Sequence, residues 1–310
     1  MARIAVVDLG TNTTRLMVAD VDGSDVRELD RRSTVTRLGQ GVDSSGRLAE
    51  EAMGRVLGTA AEYRRAIDDL GADRVVGVAT SAVRDSANGD ELLARLRDDH
   101  GIAARTISGD EEARLTFLGA THARPPGEPV IVLDIGGGST EFVVGEPGAE
   151  PRFHVSTQAG SVRQTERHIT ADPPPADEVA GVAAEVRGII ESDVPADLRR
   201  SVRSGIAVAG TATSLAAIDQ ELDPYDSERV DGYRLALAAC ERMLAMLAAL
   251  PLERRRRVTG LHPARAPTIV AGAVILVEAM RAFGLDAMET SEADILHGVA
   301  LSENPAVSEA

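Results

Sequence analysis

The sequence predicts an α/β protein built from two copies of one domain, and three observations carry that reading. Short apolar runs that read as buried strands alternate with longer segments whose apolar residues recur at helical spacing. The segment Asp8-Leu9-Gly10-Thr11-Asn12-Thr13-Thr14 returns as Asp134-Ile135-Gly136-Gly137-Gly138-Ser139-Thr140, with aspartate over aspartate, glycine over glycine and hydroxyl over hydroxyl, and apolar strands on both sides. Such self-similarity points to duplication. The chain has 310 residues, enough for two domains that each bury a core.

Taken in order, Arg3 to Val7 is a buried strand, DLGTNTT a turn, and Arg15 to Ala19 a second strand, with Asp22-Gly23 turning the chain again. Residues 47–70 carry helical periodicity and stop at Gly71. A strand at 75–79, a helix at 90–99 closed by Gly101 and a short strand at 103–107 follow. Ser108 then caps a helix with an acidic first turn. The proline-rich stretch 122–129 breaks the pattern. Beyond it come strands at 130–133 and 141–144, and a helix beginning near Asp177 after Pro173-Pro174-Pro175. A strand at 206–209 runs into Gly210 and a helix; further helices are expected at 233–250 and 268–283, and a last strand at 287–290. The predicted division is 1–118 with a returning C-terminal helix at 292–302 as the first domain, 119–291 as the second, and a frayed tail at 303–310.

Composition narrows the functional classes. Apolar residues make up 44% and charged residues 26%, which excludes collagen-like, coiled-coil and wholly disordered chains. With 33 basic against 49 acidic residues the net charge is −16, so neither nucleic acid nor an anionic membrane is an expected partner. An anionic substrate remains open, because arginines, main-chain amides and a divalent ion can reverse the potential locally. The single cysteine, Cys240, sits in an apolar helical run and reads as a buried small residue. No signal-peptide pattern and no apolar run of about 20 residues is present, so the expected location is the cytoplasm.

A glycine-rich turn after a buried strand lets main-chain amides converge on an anion, and flanking hydroxyls add donors. Thr11, Asn12 and Thr13 around the first loop, with Arg15 just beyond it as a weaker candidate, and Gly136, Gly137, Gly138, Ser139 and Thr140 in the second, are therefore candidate phosphate ligands. A cleft between the two copies would be lined by both loops. The aspartates at the strand ends, Asp8 and Asp134, would repel phosphate directly and make sense as metal ligands or loop anchors; Glu141 brackets the second loop in the same way. Neither loop is a Walker A or dinucleotide motif, since no GKS or GKT follows and the turns lead into strands. Ser81 and Arg84, near Thr80 and Asn88, suit phosphate oxygens, with Arg163 and Arg265 as weaker candidates. Arg254 to Arg257 reads as a solvated helix face, and the histidines lack metal-ligand spacing. Glu111 and Glu112 open a helix, where acids are favourable in any case; one of them, facing inward, would accept a proton from an attacking water.

These motifs together resemble the Ppx/GppA family of exopolyphosphatases and guanosine pentaphosphate phosphohydrolases. The resemblance rests on Asp8 to Arg15, Ala79 to Arg84 with Asn88, Ser108-Gly109 followed by Glu111 to Leu115, Asp134 to Glu141, Gly160 to Glu166, and Gly210 to Ala216. It implies two ribonuclease H-like domains of the actin and Hsp70 ATPase type with an interdomain active-site cleft. It also implies stepwise removal of terminal phosphate from inorganic polyphosphate, with Glu112 as general base and Glu111 its fallback. Asp8, Asp134 and Glu141 would organise Mg²⁺, with Mn²⁺ as the alternative ion and a monovalent cation as a further activator. A homodimer is implied as well. Guanosine pentaphosphate is the alternative substrate and a non-catalytic polyphosphate-binding role the non-enzymatic alternative. The chain resembles the short two-domain branch, for which shorter polymers are the expected preference. Ala209 stands where relatives often have the first glycine of a GGT motif, and Pro267 where they often have aspartate.

Overall fold

The computed structural model describes residues 1–304 and divides into two units, one formed by Met1–Arg124 with the C-terminal segment from Asp294, the other by Pro125–Ala293. The first unit begins β1 (Ala2–Leu9), β2 (Thr13–Asp22), β3 (Asp25–Val35), α1 (Val42–Ser45), α2 (Glu50–Leu70), β4 (Arg74–Ala79), α3 (Ser81–Arg84), α4 (Gly89–His100), β5 (Ala104–Thr106) and α5 (Gly109–Thr121). The second contains β6 (Val130–Ile135), β7 (Thr140–Gly145), β8 (Phe153–Thr157), α6 (Ser161–His168), α7 (Ala176–Asp193), α8 (Ala196–Ser201), β9 (Ser204–Val208), α9 (Ala209–Asp219) and α10 (Ser227–Val230). It ends with β10 (Arg234–Ala236), α11 (Leu237–Ala249), α12 (Leu252–Arg255), α13 (Ile269–Phe283) and β11 (Ala287–Thr290), after which α14 (Ile295–Ser302) returns to the first unit.

The two sheets repeat one plan. In the first, the order is β3-β2-β1-β4-β5, with an antiparallel β1-β2-β3 meander and β4 and β5 parallel to β1. In the second, β8-β7-β6-β9-β11 follows the same plan and β10 adds an antiparallel edge. This is the duplicated ribonuclease H-like architecture that the sequence resemblance implies.

Strand β1 shows why the sequence reads as an unbroken apolar run. Ala5, Val7 and Leu9 pack on one side with Val56, Tyr63 and Ile67 of α2 and Leu92 and Leu96 of α4. Ile4 and Val6 pack on the other side with Leu115 of α5 and Ile295, Leu296 and Val299 of α14. A strand covered on both faces has no solvent side on which to alternate. Helices α5 and α14 approach so closely that a Cβ at Gly119 would lie 1.8 Å from the Asp294 carbonyl oxygen, and one at Gly298 1.8 Å from that of Leu115. In the second unit, almost all of α13 is buried against β6, α7 and α11. Cys240 is enclosed there, and burial pushes its thiol up to about 12.

Several expectations need correction. The boundary expected at 118 falls inside α5, which continues to Thr121, so the units part after Arg124. The returning helix starts at Ile295 rather than 292, because Asp294 is its N-cap and accepts the Leu296 N–H at 3.0 Å. The tail expected to fray from 303 is held at its start, where Asn304 donates to the Gly23 carbonyl at 3.3 Å; 305–310 lie outside the described residues. Strands β3 and β8 were not foreseen, and the first turn of the helix expected at 233–250 is β10, drawn into pairing with β11. Arg255 is no solvated side chain: its buried guanidinium donates to the carbonyls of Leu247 at 2.9 Å and Leu250 at 2.8 Å, closing the C-terminal end of α11. Among the described residues, no helix is long and apolar enough to cross a membrane.

Candidate active site

Asp8 is the penultimate residue of β1, the last residue Leu9 pairs with Ala79 at the end of the parallel strand β4, and β5 leads into Ser108. Three connections therefore open on the carboxyl edge of one parallel set, where α/β sheets ordinarily take ligands. The first connection is the hairpin loop between β1 and β2. The Gly10 N–H closes it on the Thr13 carbonyl at 3.1 Å, and a Cβ at Gly10 would stand 2.9 Å from that oxygen. The loop carbonyls are then tied back: Thr11 O accepts from Gly39 N–H at 2.8 Å, and Asn12 O from the N–H groups of Thr36 at 3.1 Å and Arg37 at 2.9 Å.

The second unit repeats this at β6-β7. Gly136 N–H meets the Ser139 carbonyl at 3.0 Å, and a Cβ at Gly136 would be 3.0 Å from it. Here the N-terminus of α6 ties the carbonyls back, Gly137 O accepting from Val162 N–H at 2.8 Å and Gly138 O from Arg163 Nε at 2.8 Å. Among the described residues, the amides of Thr11, Asn12, Gly137 and Gly138 have no main-chain acceptor. A loop whose carbonyls are engaged from behind presents its amides, and that polarity suits an anion.

Helix α5 separates the two glutamates. Ser108 Oγ accepts the Glu111 N–H at 3.1 Å, and the Glu111 carboxylate turns outward onto Arg105 at 2.9 Å. Glu112 is buried and accepts from Arg84 Nη1 at 3.0 Å, while the same nitrogen donates to the Ile107 carbonyl at 3.0 Å. Glu112 and Arg84 thus meet across the ends of β4 and β5, and Glu111 is excluded from that meeting by its direction on the helix.

Four predicted ligands have other employment. Arg15 is paired with Asp8 at 2.7 Å and with Asp294, so its charge is already shared between two carboxylates. Ser81 donates its hydroxyl to Asp85 at 3.1 Å, and Thr140 donates its own to the Ala159 carbonyl. Asn88 spends its side chain on Leu48, accepting the N–H at 2.8 Å and donating to the carbonyl at 3.1 Å. Arg15 and Thr140 brace the strands beside the two loops, whereas Ser81 is engaged within the α3 segment and Asn88 on the stretch before α2. Thr11, Asn12, Gly136, Gly137, Gly138 and Ser139 lie in the two loops, and Thr13 opens β2 directly after the first.

Each unit contributes its own carboxylates. Asp8 is 2% exposed, and its Oδ1 has no hydrogen-bond partner, whereas Oδ2 takes Arg15. Burial, opposed by Arg15, raises its carboxyl above the usual range. Asp134 and Glu141 face each other in register across β6-β7, and Ser156 of β8 donates to Glu141 Oε1 at 2.7 Å. Among the described residues, no three histidine, cysteine or carboxylate side chains form a metal cage. That donor pattern, with an open carboxylate oxygen and few protein ligands, fits Mg²⁺, which keeps several waters and takes most other ligands from substrate phosphates.

The family model for the Ppx/GppA phosphatase family matches residues 17–306. The chain belongs to this family. It is 38% identical over 324 aligned positions to Exopolyphosphatase 2 of Mycobacterium tuberculosis, covering 97% of this chain and 98% of that protein. Among solved structures, an exopolyphosphatase-like protein superposes with a TM-score of 0.92 at 33% identity, covering 99% of each chain. The Ppx/GppA family member of Aquifex aeolicus gives a TM-score of 0.82 at 29% identity, covering 99% of this chain and 98% of the other.

Within this Ppx/GppA chain, the departure at Ala209 has a structural cost. Ala209 takes φ 63°, a left-handed conformation that glycine adopts freely and alanine does not. Gly210 beside it is covered by Arg265, whose Nη1 would lie 1.2 Å from a Cβ there. Two supporting residues escaped the sequence reading. Ser156 was hidden because β8 was not foreseen, although its place opposite Glu141 follows once that strand is drawn. Asp294 reaches Arg15 from the far end of the chain, and no local pattern announces it.

Proposed function

We propose that this chain is an exopolyphosphatase, removing terminal phosphates from inorganic polyphosphate and releasing orthophosphate. The observation that carries the reading is the matched pair of hairpin loops, each with its carbonyls tied back and its amides presented, the first of them in a unit that also holds Glu112 on Arg84. The name and near-complete alignment of the mycobacterial relative support it. Glu112 accepts the proton of a water as that water attacks the terminal phosphorus; the bond from phosphorus to the bridging oxygen breaks, and the chain leaves one phosphate shorter. Arg84 orients the Glu112 carboxylate through Nη1 and contributes positive charge beside it. The loop amides hold phosphate oxygens without further reorganisation. Asp8 in the first unit, and Asp134 with Glu141 in the second, are the residues that would hold Mg²⁺, and the ion would supply charge neutralisation when bound.

Orthophosphate release from metal-free protein resupplied with Mg²⁺ tests this, on polyphosphates of defined length with guanosine pentaphosphate in parallel. Release from polyphosphate is the expected result. Higher kcat/KM on guanosine pentaphosphate would replace the substrate, and no release from either would leave a binding role.

A further inference from the structure

We infer that Asp294 is a positioning residue: by holding Nη1 of Arg15, it confines that guanidinium to one oxygen of Asp8 and keeps Oδ1 open to the reaction. This rests on the proposed function, in which Asp8 serves the phosphate-handling centre.

An arginine facing a carboxylate ordinarily sets two parallel N–H donors on its two oxygens. Arg15 does otherwise. Its Nε, at 2.8 Å, and Nη2, at 2.7 Å, both converge on Oδ2 of Asp8, while Nη1 is taken by Oδ2 of Asp294. Asp8 Oδ1 is left buried without a hydrogen-bond partner, which costs free energy unless another ligand uses it.

Asp294 is itself fixed. Its Oδ1 caps α14 by accepting the Leu296 N–H at 3.0 Å, and Arg31 Nη2 lies 3.4 Å from its Oδ2. Its main chain is pressed onto α5, with the carbonyl oxygen 1.8 Å from where a Gly119 Cβ would stand. The carboxylate cannot follow Arg15 if that side chain swings toward Asp8, so the arrangement has one resting position. The same helix α5 carries Glu112, so the helix that bears the proposed base is also the one against which Asp294 is packed.

The test is Asp294→Asn in the full chain. Asparagine caps a helix as well as aspartate does, but once its oxygen caps Leu296 its amide donors face Arg15. We expect thermal unfolding close to wild type, KM for polyphosphate changed by less than about 3-fold, and kcat lowered by about 10- to 100-fold, as for loss of an outer support of a reactive group. Asp294→Ser, a cap without the second oxygen, should behave alike if the asparagine variant does not fold. A crystal structure of either variant should show Arg15 donating to Asp8 Oδ1. Wild-type kcat, or a loss confined to KM, would overturn the inference, as would Arg15 remaining on Oδ2 alone. If the wild-type protein releases no phosphate from polyphosphate, it is the functional reading that fails, and the position of Arg15 in the variant structure still decides the role of Asp294.

Discussion

Glu111 and Glu112 are neighbours in sequence with opposite surroundings, one turned out to Arg105 and one buried against Arg84. Replacing the buried one should therefore be costly. Glu112→Gln keeps shape and hydrogen bonding but removes the proton acceptor, so kcat for polyphosphate should fall by about 10²- to 10⁴-fold while KM changes little. Glu111→Gln, measured alongside, should retain most turnover; equal losses in the two would remove the distinction. The sequence placed both at a helix start and could not choose, because the choice depends on which way α5 is rotated by packing on α14. A second residue-scale expectation concerns acid. Hydrogen bonds first from Arg3 and then from Arg27 hold Asp20 at about 2, below its usual 3.8. A carboxyl whose folded value is depressed stabilises the fold above its unfolded value and loses that contribution as pH falls through the folded one. Unfolding monitored from about pH 5 to about pH 2 should thus steepen below about pH 4. Asp20→Asn should flatten that segment of the curve; an unchanged slope would show that the Arg3 and Arg27 contacts carry no linkage.

At the level of elements, the buried parallel strands were legible and the edges were not. β1, β4 and β6 are short apolar runs bounded by turn residues, which is how a strand covered on both faces reads. β3 carries charged residues along its length and is largely solvent-facing, so it has neither an apolar run nor a clean alternation; its pairing with β2 makes it a strand. β10 spans three residues and exists through its ladder to β11. The loop carrying candidate phosphate ligands was legible because glycine and hydroxyl residues recur in two places, whereas the hydroxyls of Ser81 and Thr140 looked equivalent in sequence and are engaged by Asp85 and Ala159 in the structure. The start of α9 offers a direct check. Ala209→Gly relieves the left-handed strain of an alanine at about 1–2 kcal/mol and returns part of it in unfolded-chain entropy, for a net gain of about 0.5–1 kcal/mol. Urea unfolding should move to a higher midpoint without a change in slope. A lower midpoint would show that the methyl group contributes packing that outweighs the strain.

For the whole molecule, the duplication is legible in the residues themselves, since the two loops share a motif, and the two sheets share an order to match. The first unit is assembled from both ends of the described chain, and the returning helix that the sequence places at 292–302 starts at Ile295; what sequence could not convey is that Asp294, just before it, reaches Arg15. Net charge sets another molecular property. At −16, the protein repels a polyanion at long range, so the binding proposed above rests on local groups such as the loop amides rather than on overall charge. Raising monovalent salt from about 20 to about 200 mM at constant Mg²⁺ should therefore leave kcat/KM for polyphosphate level or increase it, as repulsion is screened. A fall of about 10-fold or more, the signature of binding driven by counterion release from a basic surface, would contradict this.

The return of α14 to the first unit also orders events during translation. The ribosome finishes all of the second unit before it makes the helix that covers Ile4, Val6, Met17, Ala19 and Val21. For that interval this face of the N-terminal sheet has α5 over it but not α14, and the apolar positions that α14 takes are open to solvent. All residues of the unit encoded in the middle are thus available before the unit translated first has received its last helix. Ribosomes stalled before Asp294 would release a molecule with a complete second unit and an N-terminal sheet open to aggregation and proteolysis.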